Sequence, residues 1–177
     1  MHIRIPKYSA PFGDKIPNIL ALLAICFALF IALYYEFVLH EPPCPLCALQ
    51  RLGLILVGIG IAMNIRFEAK VSHYSLVLLG GIATGAAALR QILLHVCPGT
   101  KAYGSPFLGL HFYTWAAISA VLVVVFVVAM LIYREYVTNT DSNSITRLFG
   151  FIVISAFFIL TSANVSSIIS RFPFGWI

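Results

Sequence analysis

Apolar residues in this chain fall into long runs separated by short polar breaks rich in proline, glycine or charge. Five runs stand out: Asn18–Leu39, Leu46–Ile65, Tyr74–Leu94, Thr114–Tyr133 and Leu148–Ile169. Each is close to the roughly 20 residues that a helix needs to cross a bilayer. The pattern predicts an all-α integral membrane protein, a four-helix transmembrane bundle with a fifth, peripheral transmembrane helix at the C-terminal end. The fifth run is long enough to span, although its second half carries Thr161, Ser162, Asn164, Ser166 and Ser167. Residues 1–17 read as a polar lead, 18–133 as the four-helix membrane domain, 134–147 as a loop, and 148–177 as the fifth helix with a short tail. The first run is too long for a signal-peptide core and lacks a small-x-small cleavage site, so it is expected to be a retained anchor. No internal repeat or soluble domain is visible.

Composition strengthens this picture. The chain is 61% hydrophobic and 10% charged, with mean hydropathy +0.99, whereas a soluble domain carries about a quarter charged residues. The net charge of +5 is dispersed among the breaks, which reads as membrane topology and argues against nucleic-acid binding. Arg4, Lys7 and Lys15 lie in the lead, Arg66 and Lys70 in the second break, and Arg134 and Arg147 in the fourth. The positive-inside rule then puts the N-terminus in the cytoplasm and the first and third breaks on the outer face. Tyr34, Tyr35, Tyr113 and Trp115 are expected near the outer interface, and Tyr133 and Tyr136 near the inner one. Gly80, Gly81, Gly85 and Ala86–Ala88 make the third helix slim enough for close packing.

The first outer break carries the chemistry. Glu41–Arg51 reads Glu-Pro-Pro-Cys-Pro-Leu-Cys-Ala-Leu-Gln-Arg and holds two of the four cysteines. Pro42, Pro43 and Pro45 disfavour helix before themselves, so the upstream helix should stop near His40. Proline is tolerated in a first turn, so a new helix can start around Pro45. Cys44 and Cys47 then share one face of that turn, where unpaired amides and the helix dipole favour a thiolate. Two cysteines at this spacing can close a disulfide and store two electrons; they can also bind zinc. Arg51 lies one turn deeper on the same face. An arginine inside a span either snorkels to the interface or holds a polar ligand, here against the Cys47 sulfur.

Further candidates flank this stretch. Glu36 sits near the outer end of the first helix, as an interfacial residue or part of a proton path. His40, His95 and His111 lie in or beside the outer breaks, where most histidines are simply solvated. His95 is the best placed of them, beside Cys97, to donate a proton or hydrogen bond. Arg90 either points the same way or anchors the helix. Cys97 is an outer-loop thiol opposite the CxxC, either a free cysteine or a resolving thiol for the Cys44–Cys47 disulfide. Cys26 is too deep to exchange with the loops and is expected to pack in the core. Three functions fit: a thiol oxidoreductase, a non-enzymatic metal binder using Cys44, Cys47, Cys97 and an outer-loop histidine, or a membrane scaffold. Arg51 favours the first, because a cation is unhelpful beside a metal.

Cys44-Pro45-Leu46-Cys47 followed by Arg51, in the first outer loop at the start of the second helix, resembles the DsbB family of quinone-linked, disulfide-generating membrane proteins. Tyr103–Trp115 (Tyr-Gly-Ser-Pro-Phe-Leu-Gly-Leu-His-Phe-Tyr-Thr-Trp) looks like a variant branch of it. The resemblance covers about Asn18–Tyr133 and implies a multi-pass protein of the bacterial inner membrane. It implies oxidation of a periplasmic thioredoxin-like thiol oxidase, with the electrons passed to ubiquinone or menaquinone. Cys44 would be the outer, exchanging sulfur, Cys47 the inner sulfur touching quinone, and Arg51 would polarise a ring oxygen, with His95 a further quinone-side candidate. The family usually has a second cysteine pair in the later outer loop. Here that loop has Cys97 alone, and the tail Ser170–Ile177 has none.

Overall fold

The computed structural model describes residues 8–9, 15–96, 104–138 and 144–172. They form five helices, α1 (Lys15–Phe37), α2 (Pro45–Arg66), α3 (Val71–His95), α4 (Phe112–Tyr136) and α5 (Ser144–Arg171). A two-residue parallel pairing of β1 (Tyr8–Ser9) with β2 (Val137–Thr138) is the remaining regular structure among the described residues. All five helices are long and apolar enough to cross a membrane. Their outward faces carry the exposed large side chains, among them Phe27, Leu79, Val121 and Phe151, as expected where lipid replaces water.

Small residues set the order of the helices. A Cβ added at Gly53 would lie 2.3 Å from Thr84 Oγ1 and 2.9 Å from its backbone nitrogen, and one at Gly80 would lie 2.7 Å from the backbone of Gly53 and Val57. The α2 and α3 backbones therefore run in direct contact, in the manner of small-residue seams between membrane helices. The other face of α3 receives α4, with Gly81 against Val123 and Gly85 against Ala120. On the far side of α2, Gly58 accommodates the ring of Phe157, and Gly150 accepts Ile65 and Ile19. This brings α5 and α1 onto α2.

The fifth helix is thus an integral member of the bundle, not a peripheral one. Phe157, Val153 and Gly150 are buried, and so are two of its polar residues, Asn164 and Ser167. Asn164 Nδ2 donates to Leu160 O at 2.8 Å within α5 and to Leu29 O of α1 at 3.4 Å. The serines and asparagine that weaken the fifth apolar run are, in part, its packing face.

Two breaks shape the CxxC end. The α1 helix stops at Phe37, and His40 turns the chain with φ 56° while the Glu41 N–H closes onto Tyr35 O at 3.1 Å. Residues 104–111 form a small cap whose Phe107 and Leu110 exchange backbone hydrogen bonds, with Leu108 and Gly109 in the left-handed region. The Trp115 indole N–H donates to Phe107 O at 2.9 Å and ties the cap to α4. At the opposite end, Asn18, Asn64, His73 and Tyr74 form a buried polar cluster joining α1, α2 and α3.

Candidate functional site

The helix start at Pro45 is capped by a cysteine. Cys44 has extended backbone, and its Sγ accepts the Cys47 N–H at 3.1 Å, taking the place that a serine or aspartate oxygen usually fills. Both thiols are half-buried. The Cys44 thiol is pushed above its ordinary range, first by its hydrogen bond with Cys47, then by burial and by the charge on its neighbour. A second negative charge on the pair is therefore disfavoured.

A glutamine from α3 completes the sulfur site. Gln91 is 1% exposed, and its Nε2 lies 3.5 Å from Cys44 Sγ and 3.6 Å from Cys47 Sγ. Its Oε1 accepts the Gln50 amide at 2.8 Å, and the Cys47 thiol approaches the same oxygen at 3.8 Å. Neither glutamine was a candidate from the sequence alone.

Arg51 is buried one turn below. Its Nη1 meets Glu36 Oε2 at 2.6 Å, and its Nη2 donates to Ala32 O at 3.0 Å. The other Glu36 oxygen accepts Ser167 Oγ at 2.5 Å and faces Arg171 Nε at 3.6 Å. Glu36 is therefore neither a loose interfacial group nor part of the cavity wall; it is the buried counter-ion of Arg51.

Among the described residues α1 and α4 share no packed seam. Between them lies a cavity of about 460 Å³. Its walls are apolar side chains such as Phe27, Ile31, Phe112 and Leu122, its polar lining is Cys47, Gln50, Arg51 and Gln91, and the cap contributes Phe107 and Leu108. Glu41 holds the cap down, accepting the Ser105 N–H at 3.0 Å and the Ser105 hydroxyl. Cys44 is not on the wall, so the two sulfurs face different surroundings.

The remaining candidates fall elsewhere. The His95 Nδ1–H donates to the Gln91 backbone carbonyl at 2.7 Å, and the ring stacks on Tyr113, which lines the cavity, whereas His95 itself does not. His111 stacks on the same tyrosine. Arg90 is exposed and lies on a separate groove with Leu46, Leu49 and Leu52. Cys26 is buried in the core, as expected. Cys97 lies outside the described residues. Among the described residues no three His, Cys, Asp or Glu side chains come together as metal ligands.

A family model described as disulfide bond formation protein DsbB matches residues 14–104. The chain belongs to the DsbB family. It is 37% identical over 88 residues to disulfide bond formation protein B of Burkholderia pseudomallei, covering 46% of this chain and 52% of that one. It is 38% identical over 87 residues to the protein of the same name in Stutzerimonas stutzeri, covering 47% and 53%. Disulfide bond formation protein B 1 of Pseudomonas fluorescens is 31% identical over 137 residues, covering 58% and 81%. The chain thus spans about half the length of the first two of these DsbB relatives. No solved structure matches it. The segment matched to DsbB contains Glu36, Cys44, Cys47, Arg51 and Gln91; the cap beyond Gly104 and all of α5 lie outside it.

Proposed function

We propose that this protein is a quinone-dependent thiol-disulfide oxidoreductase of the bacterial inner membrane. It takes two electrons from a dithiol protein and passes them through Cys44 and Cys47. The observation that carries the reading is the CxxC pair at the start of α2, with Cys47 opening onto an apolar cavity that also presents a buried arginine. The cavity suits a planar, lipid-soluble ring: apolar walls surround it, and Gln50 and Arg51 supply donors in its lining. A quinone bound there supplies an acceptor for two electrons and two protons. The partner is a periplasmic thioredoxin-like thiol oxidase, with the N-terminus cytoplasmic and the CxxC end periplasmic, an orientation that the distribution of lysines and arginines supports.

The residues divide the work by depth. Cys44, at the helix cap and off the cavity wall, is the sulfur that an incoming partner thiolate attacks. Cys47 then leaves as the sulfur facing the cavity, beside Arg51. Arg51 holds positive charge where electron density builds up, and Glu36 and Ala32 fix its direction in advance, so it need not reorganise during the reaction. The separate relay pair of other family members is not needed for exchange at Cys44 itself.

The test is a thiol count. Reduced protein in lipid should regain one disulfide on addition of ubiquinone or menaquinone, and a Cys44→Ser, Cys47→Ser variant should not. Unchanged thiol counts after quinone addition would overturn the reading.

A further inference from the structure

Gln91 stands in an unusual relation to the two sulfurs. Its side chain is almost wholly buried, and its amide nitrogen is near-equidistant from Cys44 Sγ and Cys47 Sγ, at 3.5 and 3.6 Å. Its oxygen is held by the Gln50 amide at 2.8 Å, which turns the Gln91 N–H groups toward the sulfurs. A buried carboxamide costs free energy unless its donors and acceptor are used. Here the donors' partners are the reacting atoms themselves. His95 adds a second restraint on α3, bonding Gln91 O at 2.7 Å one turn along.

We propose that Gln91, oriented by Gln50, is a catalytic hydrogen-bond donor that stabilises the negative charge shared by Cys44 and Cys47 after reduction, and so sets how strongly the pair oxidises its partner. The inference rests on the redox reading of the CxxC above. Reduction breaks the S–S bond and takes up two electrons and one proton, leaving one thiol and one thiolate. When a partner dithiol is the donor, its second proton goes to solvent. A disulfide gains little from an N–H donor, whereas a thiolate gains much, because hydrogen bonds to charged groups are the stronger ones. Gln91 therefore favours the reduced pair selectively. A dithiol stabilised in this way belongs to a more oxidising disulfide.

Other charged and titratable groups lie around this site. Arg51 stands below on α2, with Glu36 of α1 and Arg171 of α5 behind it. His95 lies on α3, Tyr113 on α4, and Glu41 in the loop before the pair. All of these stay in place in the variants that test Gln91.

Gln91→Met keeps the length and removes the N–H donors; Gln91→Glu keeps the shape and replaces the donors with acceptors. In reduced protein in lipid, with labelled cysteines mapped by peptide mass, alkylation of Cys44 and Cys47 at pH 7 should slow about tenfold in Gln91→Met, and further in Gln91→Glu. The equilibrium with glutathione should move about tenfold toward the disulfide, equivalent to about 30 mV. Gln50→Met should shift both in the same direction by less. Loss of a merely structural contact would open the site and speed alkylation. If Gln91→Met folds poorly, a Gln50→Met, Gln91→Met pair removes both amides together and must show the same slowing. Alkylation that is unchanged or faster in these variants overturns the proposal. Neither measurement uses a quinone, and the alkylation arm needs no disulfide. Failure of quinone-driven reoxidation would therefore count against the proposed function and leave the role of Gln91 to be decided here.

Discussion

Glu36 and Arg51 come from different helices, 15 residues apart, and meet at 2.6 Å with both side chains buried. Desolvating two charges is costly, and a pair of this kind seldom adds stability over a packed apolar pair. Removing one member is far worse, because the other is left buried and uncompensated. Arg51→Ala should therefore destabilise the protein by about 3–5 kcal/mol, read as a lower unfolding midpoint in micelles. A Glu36→Gln, Arg51→Leu pair should restore most of that loss while reoxidation by quinone stays slow. Arg51→Lys should recover reoxidation only in part, since lysine lacks the planar fork. If the Glu36→Gln, Arg51→Leu protein were reoxidised at the parental rate, the role of Arg51 would be architectural.

The α2–α3 seam makes a contrast between two glycines. Gly53→Ala places a methyl within 2.3 Å of Thr84 Oγ1 and 2.9 Å of its backbone. The helices must separate, at about 1–3 kcal/mol. Gly85→Ala meets only the Cβ of Ala120, at 3.1 Å, so its unfolding midpoint should stay much closer to the parent. Equal midpoints for the two variants would contradict the packing described for α2 and α3.

The cap is held to the CxxC loop through Glu41 and Ser105. Ser105 is exposed and Glu41 only half-buried, so Glu41→Ala should alter stability by less than about 1 kcal/mol. It should nonetheless raise the rate at which a water-soluble maleimide labels Cys47, because the cap residues Phe107 and Leu108 line the same cavity as Cys47. Unaltered labelling would mean that the cap does not limit access.

Alkaline pH should separate the reduced protein from its Cys44→Ser variant. The folded-state pKa of Cys44 is raised, while the unfolded thiol ionises near about 8.5. The unfolded chain loses that proton first, so this contribution to stability is full below the ordinary thiol range and falls as pH rises toward the folded value. Urea midpoints of reduced protein should accordingly drop more steeply above about pH 8.5 than those of Cys44→Ser. Parallel curves would exclude Cys44 as the cause.

The five helices were legible because bilayer-spanning runs announce themselves by length, and the observed ends lie within a few residues of those expected. Proline placed the start of α2, and the CxxC-x3-Arg pattern led directly to Cys44, Cys47 and Arg51. Their partners were harder to read. Glu36 and Arg51 pair across helices, and no local periodicity encodes which two charges will meet. Gln91 and Gln50 are uncharged and sit beside the more conspicuous Arg90 and Arg51. A signal was present all the same: amides inside a spanning segment need partners, and two of them on the helices that flank a cysteine pair could have been joined. Asn164 and Ser167 were read as flaws in the fifth run because burial toward other helices cannot be told from a polar lipid face by composition.

The attachment of Ser167 to Glu36 also has a consequence for biosynthesis. Helices leave the ribosome in chain order, so Glu36 and Arg51 are in the membrane long before residue 167 is made. Until α5 docks, one carboxylate oxygen lacks the serine hydroxyl that satisfies it, and the Asn164 amide has yet to reach the Leu29 carbonyl. A chain arrested before α5 would carry a half-satisfied charge within its first two helices.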